Sequence, residues 1–238
     1  LVKPDAWLSA TVKRVDFFYS AWFLRLSILA LVFGLFEVMR QWDAYYSSLV
    51  DMVSVQGLMS YAIALGFVKI LHELGHAYTA KRYACRIPSM GVAFLVLWPV
   101  AYTDTNDVWK LTKRQQRLAV ASAGIIVELT IAVWATVAWV LLPDGHLKSI
   151  AFILSSTTWI SSLLINVSPF MRFDGYYLLG DFLNIKNLQP RGFALVGQKF
   201  REIVFGFPAK KEEHQLTILI YGLASVLYRV TVITGIAL

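Results

Sequence analysis

The run GLMSYAIALGFVKILHELGHAYTA, Gly57 to Ala80, is apolar over most of its length and turns polar near its end, at His72, Glu73 and His76. A helix needs about 20 mostly apolar residues to cross the hydrocarbon core of a bilayer. This run meets that length, so it is read as a membrane helix with ionisable groups gathered at one end. Four more stretches have the same character: Ala21–Met39, Leu118–Leu142, Ser149–Phe170 and Leu216–Leu238. The expected fold is an all-α membrane protein with about five transmembrane helices.

Composition points the same way. Of 238 residues, 58% are hydrophobic and 16% are charged. Soluble domains carry about 45–50% apolar and about 25% charged residues, and a water-facing surface needs more charge than this chain has. The eight tryptophans suit anchoring rings at the membrane interface. The net charge of +7 comes from basic residues lying between the apolar stretches. That pattern fits cytoplasmic loops facing anionic lipid, and no alternation of Lys or Arg with exposed aromatics marks a nucleic-acid groove. The single cysteine, Cys85, excludes a disulfide framework within the chain; it reads as a small residue near a helix end.

A sixth apolar stretch, Ile87–Tyr102, is short and holds Pro88, Gly91 and Pro99. Lys81, Arg82 and Arg86 precede it; Lys110, Lys113, Arg114 and Arg117 follow it. A crossing here would put one basic cluster outside, against the positive-inside rule. The stretch is therefore expected to be re-entrant, with irregular backbone of the kind tolerated at depth only when buried in protein or lining a cavity. The topology then closes. The N-terminal segment, with Lys3, Lys13 and Arg14, stays in the cytoplasm. The loop Gln41–Val55, which has no Lys or Arg, goes outside, as does Pro143–Lys148. The basic segment Arg172–Lys211 returns inside, and the last helix ends outside. The loop Asp181–Glu213 has room for a helix around Phe193–Phe205, either an amphipathic surface helix or an ordinary loop helix. The chain is expected to be one membrane-embedded domain, 1–238, and a piece of a longer protein. Its parts are an N-terminal segment with first helix and outside loop (1–56), a core (57–180), and a cytoplasmic loop with last helix (181–238).

The chemistry lies in His72-Glu73-Leu74-Gly75-His76, an HExxH motif. Residues four apart share a helix face, so both imidazoles can reach one ion. Glu73, one position on, can act on a water beside the metal without ligating it. Burying three ionisable groups in a membrane helix without a role is costly. A catalytic zinc site usually has three protein ligands and one open position. The other histidines, His146 and His214, fall at the wrong depth on this map. The third ligand is then read as a carboxylate, with Asp174 the candidate, at the cytoplasmic end of the fourth span. Imidazole and carboxylate ligation favours Zn2+. Glu128, Arg25 and Arg229 lie within spans, and internal pairing of Glu128 with an arginine is expected. Asp104 and Asp107 are read as loop solvation and helix capping. Gly75 either permits close helix approach or is a tolerated small residue.

The HExxH together with Asn166-Val167-Ser168-Pro169-Phe170-Met171-Arg172-Phe173-Asp174-Gly175, an NxxPxxxxDG pattern on a second membrane helix, resembles the site-2 protease family of intramembrane metalloproteases, peptidase family M50. The resemblance covers about Gly57–Gly180. It implies His72, His76 and Asp174 as zinc ligands, Glu73 as catalytic base, and a role for Asn166 near the substrate carbonyl. It also implies cleavage of peptide bonds in or beside the membrane, with the active site toward the cytoplasm. No PDZ insertion is recognised. The run Ala101–Trp109 looks like a bacterial branch whose core is often joined to an extracytoplasmic biotin/lipoyl-like adaptor domain on the same chain. The implied setting is the bacterial inner membrane. The implied partners are the lipid bilayer and a membrane-associated peptide or protein substrate, whose extended form could add as a strand near Gly91. Two other functions compete with this reading. A non-proteolytic component of a peptide export or efflux system could hold a structural zinc, but it has no need of Glu73. A metal-ion transporter would gather polar residues from several helices near the midplane, whereas this cluster sits toward one face.

Overall fold

The computed structural model describes residues 2–51, 54–95, 98–206 and 214–237. Five of its helices are long and apolar enough to cross a membrane: Ala21–Arg40, Val55–Arg82, Arg114–Leu141, His146–Asn166 and Gln215–Gly235. These match the five stretches expected from sequence, and the chain is a multi-pass membrane protein. Large apolar side chains such as Leu24, Leu29, Phe36 and Met39 point outward along the first span. In a bilayer that outward face meets lipid, where it costs nothing.

The chain divides into two compact units, Leu1–Asn166 and Val167–Leu238. The first opens with a short helix α1 (Asp5–Thr11) and a 3₁₀ turn (Val12–Tyr19), followed by α2 (Ala21–Arg40), α3 (Trp42–Asp51) and α4 (Val55–Arg82). Helix α3 lies within the stretch expected as an outside loop. Ser54 starts α4, its hydroxyl accepting from the Gly57 N–H at 3.0 Å. Lys81 and Arg82 occupy its last turn, where positive charge complements the helix dipole. Gly57, Ala64, Val68, His72, Gly75 and Thr79 are buried along one stripe. The steps of three, four and seven residues follow the helical period. That stripe packs on α5 (Arg114–Leu141).

The expected re-entrant stretch is a β-hairpin. Strands β1 (Met90–Leu95) and β2 (Trp98–Thr103) run antiparallel, with Met90 opposite Thr103 and Leu95 opposite Trp98. Here the structure differs from the irregular backbone expected. The physical reason is economy of hydrogen bonds: each strand satisfies the N–H and C=O groups that the other turns toward it, and leaves fewer unpaired than irregular backbone would. Val2 pairs with Met90 on the other edge of β1, through Val2 N–H to Met90 O at 2.8 Å and Met90 N–H to Val2 O at 3.0 Å.

Helix α6 (His146–Ile160) continues as a π-helical turn, Ser161–Asn166, where the helical part of the fourth span ends. The expected span ran on to Phe170. The widened turn gives way at Ser168-Pro169, because proline cannot continue the i to i−4 pattern.

The second unit holds α7 (Asp174–Leu183), α8 (Leu188–Phe205) and α9 (Gln215–Ala237). Helix α8 covers the segment where sequence allowed a loop helix. Tyr176, Ile185, Leu188, Leu195, Ile218 and Tyr221 form its core. The loop leading into α7 is pinned within this unit. Tyr221 donates to Pro169 O at 2.8 Å, and Gln189 donates to Phe170 O at 2.9 Å while accepting from Arg172 Nε at 3.0 Å.

Candidate metal centre

His72 and His76 sit one turn apart on α4, and their Nε2 atoms lie 3.2 Å from each other. The far side of each ring is engaged by α5. Nδ1 of His76 lies 2.7 Å from the backbone oxygen of Val120. Nδ1 of His72 lies 2.8 Å from Oε1 of Glu128. A carbonyl and a carboxylate both accept, so a proton on each Nδ1 would suit these neighbours and leave both Nε2 atoms available to one ion. This donor set suits a metal ion, and oriented imidazoles of this kind are what zinc ligation uses.

The close approach of the two helices depends on small residues. A Cβ on Gly75 would fall 2.7 Å from Val127 Cγ2, and one on Gly124 would overlap the His72 ring and lie 2.6 Å from His76 Nε2. Gly75 therefore serves close approach, one of the two roles sequence allowed. Gly124 was missed, since a glycine in an apolar span gives no local sign of what crosses it.

Glu128 is fully buried within α5. Its expected arginine partner is not what the structure shows. Lys69 Nζ lies 2.7 Å from Glu128 Oε1, while Arg25 stacks over Trp22 and Arg229 over Phe193. Lys69 wins because it lies three residues before His72 on α4, on the face turned to α5. Asn166, at the end of the π-helical turn, donates from Nδ2 to both carboxylate oxygens of Glu128, at 2.7 and 2.6 Å.

Glu73 is half-buried on α4. Its backbone oxygen accepts from Thr103 Oγ1 at 3.1 Å, which ties the hairpin to the HExxH turn. Asp174 opens α7 in the second unit and is half-buried. His146 and His214 are exposed. Asp107 accepts from the Arg86 N–H at 2.9 Å and pairs with Lys110, and Asp104 accepts from the Asn106 N–H at 3.1 Å, so both serve the local loop.

A framework of contacts holds the end of α4. Asp5 pairs with Lys81 at 2.8 Å and accepts from the Ile87 N–H at 2.8 Å. Arg82 pairs with Asp16 and lies over the Tyr19 ring. The Lys81 contact, helped by the Ile87 N–H, holds the Asp5 carboxyl below the usual range. Burial raises the Tyr19 hydroxyl and the Cys85 thiol above theirs.

Comparison with known proteins gives a family. The model of peptidase family M50 matches residues 60–222. A protein of Bacillus subtilis (strain 168), named "Putative peptide zinc metalloprotease protein YydH", is 26% identical over 117 residues. That match covers 49% of this chain and 44% of the relative, so the chain spans less than half of the relative's length. No solved structure matches.

Proposed function

This chain belongs to peptidase family M50, and from that premise we propose that it is a zinc-dependent endopeptidase that hydrolyses peptide bonds in or near the membrane. The observation that carries the reading is the pair of Nε2 atoms 3.2 Å apart, each on a ring whose Nδ1 faces an acceptor. His72 and His76 would hold the ion, with Asp174 of the NxxPxxxxDG pattern as third ligand. Bound zinc supplies Lewis acidity and brings water's pKa down toward about 7. Glu73 takes the proton from the attacking water and returns it to the leaving amine.

The substrate is a membrane-associated peptide or protein, and it must be locally unwound, since helical hydrogen bonds shield its peptide groups. The outer edge of β1 is the proposed place to hold it. Val2 already pairs with Met90 there, and the alternation of an antiparallel ladder turns the backbone groups of Val92 to the same edge. The site is proposed to lie toward the cytoplasm of a bacterial inner membrane, with an extracytoplasmic adaptor domain on the same chain.

The test is elemental analysis of protein purified in detergent, with Asp174→Ala and Glu73→Gln beside the native chain. One zinc per native chain, lost or weakened in Asp174→Ala and kept in Glu73→Gln, is expected. Glu73→Gln should also stop cleavage of a transmembrane peptide in proteoliposomes. Undiminished cleavage by Glu73→Gln would remove Glu73 from the chemistry, and zinc without cleavage by the native chain would turn the reading to an export component with a structural metal.

A further inference from the structure

We propose that Glu128 is the positioning residue for His72: clamped by Lys69 and Asn166, its carboxylate holds the imidazole with Nδ1 protonated and Nε2 turned toward His76. The inference rests on the zinc reading of the His72–His76 pair.

Burial is unequal across the ion pair. The Glu128 side chain is 0% exposed and that of Lys69 29%. Lys69 stands at the middle of its span, and it reaches inward to a carboxylate deep in the bundle, where both charges are paired away from lipid.

The contacts around that carboxylate leave it one orientation. Lys69 donates to Oε1 at 2.7 Å, and Asn166 donates to Oε1 at 2.7 Å and to Oε2 at 2.6 Å. These donors come from α4 and from the π-helical turn after α6, while Glu128 itself stands on α5. Three helical segments thus set the one oxygen that lies 2.8 Å from His72 Nδ1. An ionised acceptor on the far nitrogen both fixes a histidine's tautomer and strengthens it as a ligand. Nδ1 of His76 lies instead against the Val120 carbonyl. The two histidines are therefore held differently, His76 by backbone and His72 by a side chain that mutation can reach. Asn166 takes its place in this cluster, acting through Glu128: its amide nitrogen donates to the carboxylate, and the residue is 4% exposed.

The experiment measures zinc affinity by chelator competition on the full chain in detergent, native against Glu128→Gln. The thermal midpoint of each metal-free protein and the visible spectrum of each cobalt-substituted protein are recorded in parallel. Glu128→Gln is expected to weaken zinc about 10- to 100-fold and to shift the cobalt bands, while the metal-free midpoint moves by only a few degrees. Unchanged zinc affinity and an unchanged cobalt spectrum would overturn the proposal and leave the zinc reading standing. A native chain that binds no zinc would sink that reading itself, and the proposal with it. Should Glu128→Gln fail to fold, Glu128→Gln/Lys69→Met removes both buried charges together. The zinc loss must persist in that double variant, and native-like affinity there would equally overturn the proposal.

Discussion

Nε2 of His72 and Nε2 of His76 lie 3.2 Å apart, and Gly124 of α5 lies against both rings with no room for a methyl group. Gly124→Ala therefore drives a methyl into the His72 ring. Overpacking a tight interior site costs about 1–3 kcal/mol, and a methyl pressed on the His72 ring pushes it away from Glu128 and His76. Zinc content should fall at least roughly tenfold, with helical circular dichroism kept. Full zinc occupancy in this variant would show that the rings do not converge beside Gly124.

Asp5 gives a pH dependence whose sign can be worked out. Its folded pKa lies below the unfolded value, through the Lys81 contact first and the Ile87 N–H second. The contribution is thus fully present above the unfolded pKa of about 3.9 and is lost as pH falls through the folded pKa. Asp5→Asn should destabilise the chain at pH 7 by on the order of 1 kcal/mol, discounted because the carboxylate is partly exposed. Thermal unfolding in detergent should show the gap between native and variant closing as pH falls below about 4. A gap that stays constant with pH would show that the ion pair does not stabilise the fold.

Cys85 is 3% exposed and packs with Leu8, Ala77, Ala80, Ile87 and Val120. Burial raises its thiol pKa, so little reactive thiolate forms at neutral pH. Alkylation by iodoacetamide at pH 7.5, followed by mass spectrometry, should run roughly tenfold or more slower in the native chain than after denaturation. Equal rates would mean that the packing of α1 on the end of α4 opens readily.

In the second unit, α8 and α9 cross at two glycines. A Cβ on Gly222 would lie 2.6 Å from Gly192 O and 2.9 Å from Val196 Cγ2. Backbone atoms cannot move aside cheaply, so Gly222→Ala should cost about 1–3 kcal/mol. Limited proteolysis and thermal unfolding read this loss. Native-like stability would show that the two helices do not approach this closely.

Much of this molecule was legible along the chain. Hydropathy and length mark five spans because the bilayer's demand for about 20 apolar residues is local to each segment. The HExxH motif reads from spacing alone, since residues four apart share a helix face whatever the helix packs against. The basic flanks of Ile87–Tyr102 were enough to deny it a crossing, though not to say that it pairs with itself as strands. Register between strands is a property of two segments, and proline and glycine in the run pointed away from regular structure.

What tertiary structure alone decided is who faces whom across helices. Glu128 stood out as an ionisable residue within a span, yet the sequence pointed to Arg25 or Arg229 as its partner. The contact of α4 with α5 chose Lys69, brought the carboxylate to His72, and set Val120 O on His76. The same crossing set Gly124 against both imidazole rings. Helical period is written in neighbouring residues, so sequence reveals which side chains share a face. The partner of that face depends on the crossing and rotation of helices that are distant in sequence, and only the packed structure specifies those.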